Sequence, residues 1–425
     1  MFHIFAYLEL FKINKIMKHY ILLLTLLFFH FSFSQNCNDD FNLMTMKELI
    51  YELSDDSYEG RKTGEYGGKK SAKYIKKYLK GLFKDSDNVD IYSQKFDFFV
   101  SNNPHMKNND VKKNAENILC FIDNKQKETI IIGAHYDHLG HGDFGSLYSG
   151  DEHLIHNGAD DNASGVALGV TLIKLLYSSN KMYNYLFIAF DGEEMGLYGS
   201  SYFCKNPTID LKNVRYMMNF DMVGRLNSTK DLAINGIGTC LHWDSLLSKV
   251  NYNSEFNLIL SESGVGPSDH SSFYYQNIPS IHFFTGQHSD YHKPSDDSDK
   301  INYNGIHEIL CFVEQMVQYS SSIKKFEFQE TKNESNETLK FSVTLGVMPD
   351  YLFSGEGMRI DGVSKDKTAF NAGIIKGDIV VKMGEKDIND MISYMEALSL
   401  FQKGDTTIVK VSRSGELIDL ITIFK

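Results

Sequence analysis

The chain has 425 residues, which is too long for one ordinary domain and predicts at least two. Its hydrophobic fraction of 42% is that of a globular protein with a real core. A formal net charge of −12 argues against a nucleic-acid-binding protein, which needs basic surface to displace phosphate counterions.

The first 34 residues have the layout of a signal peptide. Residues 21–29 are apolar, lysines precede them, and Ser32 and Ser34 stand before a plausible cleavage point at Gln35. The apolar run is too short to span a bilayer comfortably, and a retained N-terminal membrane anchor is the alternative. We expect an exported protein, periplasmic or secreted, with no membrane span once the signal is removed.

Five widely spaced cysteines stand at positions 37, 120, 204, 240 and 311. No C-x-x-C pair occurs among them, so a cysteine zinc site is not expected. Export permits a disulfide. The spacing selects no pairing, and buried free thiols are the alternative.

Between residues 38 and 320, apolar runs typical of strands alternate with helical patterns. The predicted strands are 89–100, 117–122, 129–134, 185–190, 214–220, 231–237, 257–261 and 278–284. The predicted helices are 44–53, 68–82, 163–177, 241–250 and 306–319, with a short helix from 268. The alternation predicts an α/β fold with a mostly parallel mixed sheet and helices on both faces.

In such a sheet the ligand crevice lies beyond the carboxyl ends of the strands. Acidic and histidine side chains follow several of the predicted strands there: His135, the adjacent pair Glu193 and Glu194, Asp221 and, at a greater distance, His292. Asp161 belongs to an acidic stretch at 158–165 that opens a helix, where a simple capping aspartate is the alternative.

These side chains have the composition of a metal site. Histidine nitrogen and carboxylate oxygen without thiolate suit zinc, and also manganese or cobalt. The candidate ligands are His135, Asp161, Glu194, Asp221 and His292. They are too many for one tetrahedral zinc with an open position, but they fit two metals that share one carboxylate. Two dications then balance three carboxylates and one bridging hydroxide, a centre that activates water and polarises a carbonyl.

Two further acids complete the predicted site. Asp137 is spaced to orient His135, either directly or through the local backbone. Glu193 can take the proton from the attacking water and pass it to the leaving amine. The histidines at 138, 141, 153 and 156 are interpreted as loop residues, because mobile loops hold metals loosely.

Five short motifs carry a resemblance to a known family. They are His-x-Asp at 135–137, Gly-Ala-Asp-Asp-Asn-Ala-Ser-Gly at 158–165, Asp-Gly-Glu-Glu-Met-Gly-Leu-Tyr-Gly-Ser at 191–200, Asn-Phe-Asp-Met-Val-Gly at 219–224 and Tyr-His-Lys-Pro-Ser-Asp at 291–296. In this order they resemble the co-catalytic di-zinc exopeptidases, the family of bacterial leucyl-type aminopeptidases and glutamate carboxypeptidase relatives. The resemblance covers about residues 40–320.

The resemblance implies how the ligands divide. Asp161, rather than Asp160, is the bridging ligand. The remaining ligands pair as Asp221 with His135 on one metal and Glu194 with His292 on the other.

The resemblance also implies roles for residues that hold no metal. Glu193 is the general base and acid. Tyr291 is similar to a residue that helps to polarise the scissile carbonyl in some members. Asp269 and His270 match a segment near the substrate pocket.

The C-terminal part of the sequence has a different pattern. Residues 321–340 are polar and are predicted to form a linker, and residues 341–425 read as short strands between glycine turns with a helix at 390–401. This small β-rich region resembles a PDZ domain, with Leu-Gly-Val-Met at 345–348 as the carboxylate-binding loop and a typical turn at 372–378. The resemblance implies a C-terminal peptide ligand added to a sheet edge; a packing or assembly module is the alternative.

These patterns lead to a zinc-dependent exopeptidase acting on peptides, first of all an aminopeptidase. A single-zinc enzyme resembling a glutaminyl-peptide cyclase, a carboxypeptidase of the same family, and a binding protein with an inactive catalytic domain are the alternatives. The motifs do not reveal the residue preference at the cleaved end.

Overall fold

The computed structural model describes residues 37, 40–101, 110–148, 150, 152–331, 343–350, 353, 355–363, 367–389 and 391–424. The predicted signal peptide lies outside these residues. No helix in this part of the chain combines the length and the apolar character needed to cross a membrane.

A mixed sheet of eight strands forms the first unit. Its strands are β1 Val89–Ser101, β2 Asp110–Ile122, β3 Thr129–His135, β4 Asn184–Phe190, β5 Val214–Phe220, β6 Asp231–Asn235, β7 Asn257–Ser261 and β8 Ser280–Phe284. Their order across the sheet is β1-β2-β4-β3-β5-β8-β6-β7. The pairs β3–β4, β3–β5, β5–β8 and β6–β7 are parallel and the other three are antiparallel. The prediction of a mostly parallel mixed sheet is confirmed.

Helices pack on both faces of this sheet. They are α1 Asp40–Leu53, α2 Tyr66–Leu82, α3 Gly165–Ser179, α4 Tyr198–Lys205, α5 Trp243–Ser254, α6 His270–Tyr274 and α7 Tyr303–Ser320. The main hydrophobic core lies on the face covered by α1, α2, α3, α5 and α7, and a smaller one lies under α4 and α6. The central strands β3 and β4 are buried along their whole length because both of their faces are covered.

The segment after α7 corrects the predicted linker. Phe326 is buried, with its ring 4.9 Å from that of Trp243 and 4.8 Å from that of Tyr216. The Gln329 amide donates to the carbonyl of Thr239 at 2.8 Å. Residues 321–331 are therefore packed chain, and the rest of the predicted linker, 332–340, lies outside the described residues.

A disulfide joins Cys37 to Cys311 on α7. Cys120, Cys204 and Cys240 are free and buried. The cross-link therefore ties the start of the described chain to the last helix of the first unit.

A small antiparallel sheet follows. Its strands are β9 Val347–Pro349, β10 Met358–Val363, β11 Ile379–Met383, β12 Lys386–Asp387, β13 Thr406–Arg413 and β14 Glu416–Ile423, in the order β14-β13-β11-β10-β9 with β12 on β11. The helices α8 Thr368–Ala372 and α9 Met391–Ser399 accompany it. It has its own buried cluster, which includes Leu345, Ile360 and Val411.

Candidate metal centre

The candidate ligands converge at the carboxyl edge of the large sheet. His135 is the last residue of β3, and Asp221 directly follows β5. Glu193 and Glu194 lie on the turn between β4 and α4. Because β3, β4 and β5 run parallel and side by side, their ends bring these side chains to one place.

Asp161 reaches the same edge from an irregular turn, Ala159–Ser164, that precedes α3. The neighbouring Gly158 has a positive φ of 56°. A Cβ atom there would lie 2.1 Å from the Asp161 carbonyl oxygen and 2.5 Å from the His138 ring. Glycine is required at this position because two site-bearing loops cross there.

The carboxylate of Asp161 divides the site into two halves. Its Oδ1 lies 3.4 Å from His135 Nε2, which is 3.2 Å from Asp221 Oδ1. Its Oδ2 lies 3.2 Å from His292 Nε2, which is 3.3 Å from Glu194 Oε2. One carboxylate thus takes part in two separate donor sets.

The spacing of these atoms fits metal binding. Donors around a tetrahedral zinc, each at about 2.0–2.1 Å, are separated by about 3.3 Å. The separations of 3.2–3.4 Å between the imidazole nitrogens and carboxylate oxygens match this value. Buried oxygens and nitrogens held at that distance form a donor set with the chemistry that zinc prefers.

The histidine tautomers also suit ligation. Nδ1 of His135 lies 3.2 Å from the carbonyl oxygen of Asp137, and Nδ1 of His292 lies 2.9 Å from that of Gly145. Each Nδ1–H can donate to its carbonyl, so that each Nε2 is an acceptor directed at Asp161.

His138 is a site residue that the sequence reasoning missed. It is buried, and its Nδ1 lies 2.7 Å from Glu194 Oε1 and 3.8 Å from Asp161 Oδ2. His138 does lie in the loop after β3, as interpreted, but its side chain contacts the donor carboxylates. His153, by contrast, is exposed. The signal was the spacing His-Tyr-Asp-His, which places a second histidine three residues after the end of β3.

The site carboxylates have perturbed affinities for protons. Burial raises the pKa of Glu194, but His292 and His138 outweigh it and bring the pKa to about 2. Burial also acts to raise the pKa of Asp161, yet His138 and the other imidazoles hold it well below its ordinary value. Both acids are therefore ionised at neutral pH and ready to bind a cation.

Glu193 differs from its neighbour. Burial raises its pKa well above the ordinary value, and the carboxylates of Asp221 and Glu194 add to that effect against His135. Its carboxylate oxygen lies within 4.8 Å of donor atoms of His135 and Asp221. A carboxylate with a raised proton affinity beside the donors has the properties of a general base.

Asp137 holds the turn that carries the glutamates. Its Oδ1 accepts the Glu193 amide at 3.1 Å, and its Oδ2 accepts the Glu194 amide at 3.3 Å and the Thr63 hydroxyl at 3.0 Å. Its carboxylate is 3.6 Å from His135 Nδ1 and is fully buried behind it. This placement supports a positioning role rather than contact with substrate.

Arg61 holds together the two loops that carry His135 and Asp161 by donating hydrogen bonds to their carbonyl groups. Its guanidinium is fully buried and donates to the carbonyls of Tyr136 at 2.7 Å and Gly158 at 2.8 Å, and also to that of Asn157. Burial lowers the pKa of Arg61 to about 10, so it stays charged at neutral pH. Because these carbonyls flank His135 and Asp161, one side chain fixes both halves of the site.

A second brace acts through Asp296. Its Oδ2 accepts the amides of Asp160 at 2.9 Å and Asp161 at 3.0 Å. Asp160 itself points away, with Oδ2 3.1 Å from His288 Nε2 and Oδ1 accepting the Gly224 amide at 2.6 Å. The two adjacent aspartates thus separate into one that faces the donors and one that supports the loop.

The remaining predicted residues surround the centre. The ring of Tyr291 stacks on that of His292 at 3.9 Å, and Tyr291 lines the cavity in front of the donors. Asp269 and His270 are fully buried beneath the site and do not line this cavity. Their predicted direct role in substrate binding is not supported by this placement, since the substrate would have to reach them through the wall.

The cavity has a volume of about 310 Å³. Its lining includes the donor residues and Glu193, together with side chains such as Met222, Asn235 and Phe284. A space of this size accepts one amino-acid side chain and the adjoining bond, with both next to the donors.

Comparison with known proteins identifies the domain type. Residues 117–317 match the sequence profile of Peptidase family M28. The aminopeptidase YwaD of Bacillus subtilis is 28% identical over 191 residues, which are 42% of this chain and 38% of that protein. The chain thus aligns with less than two fifths of this relative.

Solved structures share the fold. A Zn-dependent exopeptidase from Parabacteroides distasonis has a TM-score of 0.55 at 17% identity, covering 66% of this chain and 98% of that one. A Bacteroides thetaiotaomicron glutaminyl cyclase has a TM-score of 0.54 at 18% identity, covering 65% and 97%. The match of residues 117–317 to Peptidase family M28, together with the aminopeptidase relative, supports a metallo-exopeptidase.

Proposed function

We propose that this protein is an exported, zinc-dependent aminopeptidase that hydrolyses the N-terminal residue from peptides. The observation that carries the proposal is the carboxylate of Asp161, whose two oxygens face two donor sets 3.2–3.4 Å away. One set is completed by His135 and Asp221, the other by Glu194 and His292. The arrangement supports two zinc ions.

The bound zinc ions would supply Lewis acidity, lowering the pKa of a water and polarising the scissile carbonyl. Glu193 lies beside the donors of His135 and Asp221, where its carboxylate can accept a proton from the attacking water. Its raised pKa favours keeping that proton until the amine leaves. Tyr291 lines the same cavity, and its ring stacks on that of His292 at 3.9 Å, which supports a contact with the substrate carbonyl.

A glutaminyl cyclase with one zinc is the second candidate. The fold is shared with a cyclase, and the half-site of Asp161, Glu194 and His292 could hold one ion by itself. The intact second half, where His135 Nε2 lies 3.2 Å from Asp221, favours hydrolysis because a one-metal enzyme does not need it. A carboxypeptidase of the same family differs only in which end of the peptide it reads.

Export is proposed from two independent features. The predicted signal peptide at 1–34 precedes Cys37, and Cys37 is joined to Cys311. Disulfides persist in oxidising compartments and are rare in reducing ones. We also propose that the unit built on β9–β14 is PDZ-like and binds a peptide C-terminus.

The test combines metal analysis with a substrate panel. The purified mature chain should bind two zinc ions, release free amino acids from arylamides and unblocked peptides, and leave N-blocked peptides intact. Release of C-terminal residues would identify a carboxypeptidase instead. Pyroglutamate formation with one zinc per chain would identify a cyclase.

A substitution at Glu193 tests whether this residue is the general base. Glu193→Gln keeps the size of the side chain but removes the base, so kcat should fall by about 10²–10⁴-fold while both zinc ions stay bound. Glu262→Gln, at an exposed glutamate, is the matched control and should behave like the parent protein. Substantial activity in the Glu193 variant would contradict the assigned role.

A further inference from the structure

The helix α2 concentrates positive charge in a chain whose net charge is −12. Its residues, Tyr66–Leu82, include six lysines and no aspartate, glutamate or arginine. We call these six the lysine face: Lys69, Lys70, Lys73, Lys76, Lys77 and Lys80. The sign of the charge on this helix is therefore opposite to that of the whole molecule.

The spacing of the six lysines places them on one side of the helix. At 3.6 residues per turn they fall within about a third of its circumference. The other side carries Ala72, Ile75 and Leu79, which are fully buried in the main core. Because that packing fixes the rotation of α2, the lysine face is turned to solvent. Its exposed members are Lys69, Lys73, Lys77 and Lys80.

Carboxylates do not neutralise the lysine face. Among the described residues, none of its six lysines forms an ion pair, whereas Lys62 is paired with Asp143. Glu65 directly precedes α2, yet its carboxylate pairs with Lys113 on β2. The face therefore keeps most of its positive charge.

The two half-buried lysines of the face contact neutral groups. Lys70 Nζ donates to the hydroxyl of Ser57 at 2.7 Å, and Lys76 Nζ donates to that of Ser93 at 2.8 Å. Neither hydroxyl carries a charge, so both ammonium groups remain uncompensated. The contacts fix these two side chains at the border of the face.

The composition of the lysine face indicates the kind of partner. Sites that recognise the geometry of a single phosphate favour the arginine fork, whereas a lysine ammonium acts as a point charge. Clusters of about four to eight basic residues beside a bilayer are attracted to its anionic lipids. Six lysines along about 16 Å of a rigid helix suit such a surface, which offers many mobile negative headgroups.

The acidic remainder of the chain favours a flat partner. A bilayer meets one side of a protein, and charges more than about 8 Å from its surface are screened at physiological ionic strength. Tyr66, in the first turn of α2, is 63% exposed and lies on the same side of the helix as the lysines. Tyrosine is enriched where proteins meet the membrane–water interface.

We propose that the lysine face docks the mature protein on a bilayer surface that contains anionic lipids. The apolar side of α2 stays in the core, so the helix does not insert and the attraction is electrostatic. Binding should therefore depend on lipid charge and on salt. The proposal is independent of the reaction that the large unit catalyses.

The first test is co-sedimentation of the purified mature chain with vesicles. At an ionic strength of about 0.1 M, vesicles of phosphatidylcholine with about 30% phosphatidylglycerol should bind it at least about tenfold more tightly than phosphatidylcholine alone. Salt at about 1 M should release it, because the Debye length falls to about 3 Å. Equal binding to both vesicles, no binding to the anionic ones, or binding that survives the salt would overturn the proposal.

A triple variant connects the binding to α2. Lys73→Gln, Lys77→Gln and Lys80→Gln together should weaken binding to the anionic vesicles by about 100-fold, since each lysine near such a surface contributes about fivefold. These side chains are exposed, and glutamine favours helix almost as well as lysine, so the fold should be kept. Arginine at the same three positions should preserve binding. Undiminished binding by the glutamine variant would contradict the proposal.

The matched control removes the same charge elsewhere. Lys205, Lys212 and Lys249 are exposed lysines outside α2, and their joint replacement by glutamine should leave vesicle binding within about twofold of the parent. An equal loss in this control would show that total charge, rather than the lysine face, decides binding, and would overturn the proposal. Circular dichroism verifies that both triple variants are folded.

Two further measurements separate this inference from its alternatives. Duplex DNA, titrated at the same ionic strength, should bind the mature chain more weakly than the anionic vesicles do; tighter DNA binding would overturn the bilayer as the partner. Hydrolysis of a small arylamide should be the same in the parent and in the glutamine variant of α2. A lack of hydrolysis in both would count against the proposed function and leave the docking surface in place.

Discussion

The two units of the chain treat buried acids in opposite ways. In the small unit, Asp378 is fully buried and Arg413 binds it with two hydrogen bonds, Nε to Oδ1 at 2.7 Å and Nη2 to Oδ2 at 2.8 Å. In the large unit, buried Asp161 and partly buried Glu194 lie beside histidines and further acids, with no lysine or arginine in the cavity wall among the described residues.

The difference explains why one unit needs a ligand and the other does not. Buried carboxylates are tolerated when a cation pairs with them. The small unit supplies that cation from its own sequence, whereas the carboxyl edge of the large sheet leaves the task to bound metal. A buried acid with a matching arginine is therefore a structural feature, and a cluster of acids with imidazoles is a functional one.

Removing the metal should have the largest effect, and only on the large unit. Chelation should abolish hydrolysis and lower the thermal unfolding temperature of the large unit, since an ion present at about 1,000 times its Kd contributes about 4 kcal/mol. The small unit should unfold at an unchanged temperature. Differential scanning calorimetry with and without chelator is the measurement, and readdition of zinc is the control. Equal shifts in both units would contradict the assignment of metal to the large unit.

Arg61→Met tests the support beneath the metal donors. The variant leaves the carbonyls of Tyr136, Asn157 and Gly158 without their buried donor. Unfolding of the large unit should become easier by about 3 kcal/mol, and zinc affinity should fall as well. Urea unfolding and zinc titration measure the two effects. Arg359→Met, at a half-exposed arginine of the small unit, is the control and should leave zinc affinity unchanged.

Arg413→Met would leave the small unit, like the metal-free large unit, with a buried carboxylate that has no cation beside it. It leaves Asp378 buried without its cation, which should destabilise the small unit by about 1–2 kcal/mol, a modest value because Arg413 is 31% exposed and water can reach the acid. Added zinc should not restore stability, since one carboxylate is not a donor set. Lys410→Met, which removes only an exposed ion pair with Asp419, should cost much less.

Glu314 provides a smaller test through pH. Burial raises its pKa from the ordinary 4.5 to about 7. The stability that this group contributes is present below pH 4.5 and is lost as the pH rises to about 7, because the unfolded chain releases the proton more readily. Glu314→Gln should therefore stabilise the large unit by about 2 kcal/mol at pH 8 and by much less at pH 5. Unfolding curves at the two pH values measure it, and Glu308→Gln at a half-exposed site is the control.

The central strands were predictable because burial on both faces produces unbroken apolar runs. The run 185–190 became β4 Asn184–Phe190, and the run 214–220 became β5 Val214–Phe220. The first half of β2 was missed, since residues 110–116 pair only with β1 and carry polar side chains. The pattern of apolar residues in a sequence reveals which segments are buried. Residues 110–116 extend past the part of β2 that pairs with β4, so they lack this pattern.

The candidate ligands were predictable from strand ends, but their supports were not. The contacts of Arg61 reach carbonyls 75 to 97 residues away, and those of Asp296 reach amides 135 and 136 residues away. Such contacts depend on how the loops pack and leave no local pattern. The same holds for the pairing of Cys37 with Cys311 and for the packing of Phe326.

The covalent link between Cys37 and Cys311 determines what happens when a protease cuts the chain. Any single cut in the 273 residues between them leaves the two fragments attached, because the disulfide joins the two ends of this segment, which contains all eight strands of the large sheet. A nicked chain would migrate as one band without reductant and as two with it. The candidate metal donors at the carboxyl edge of the large sheet would thus remain in one covalently linked molecule after a first cut.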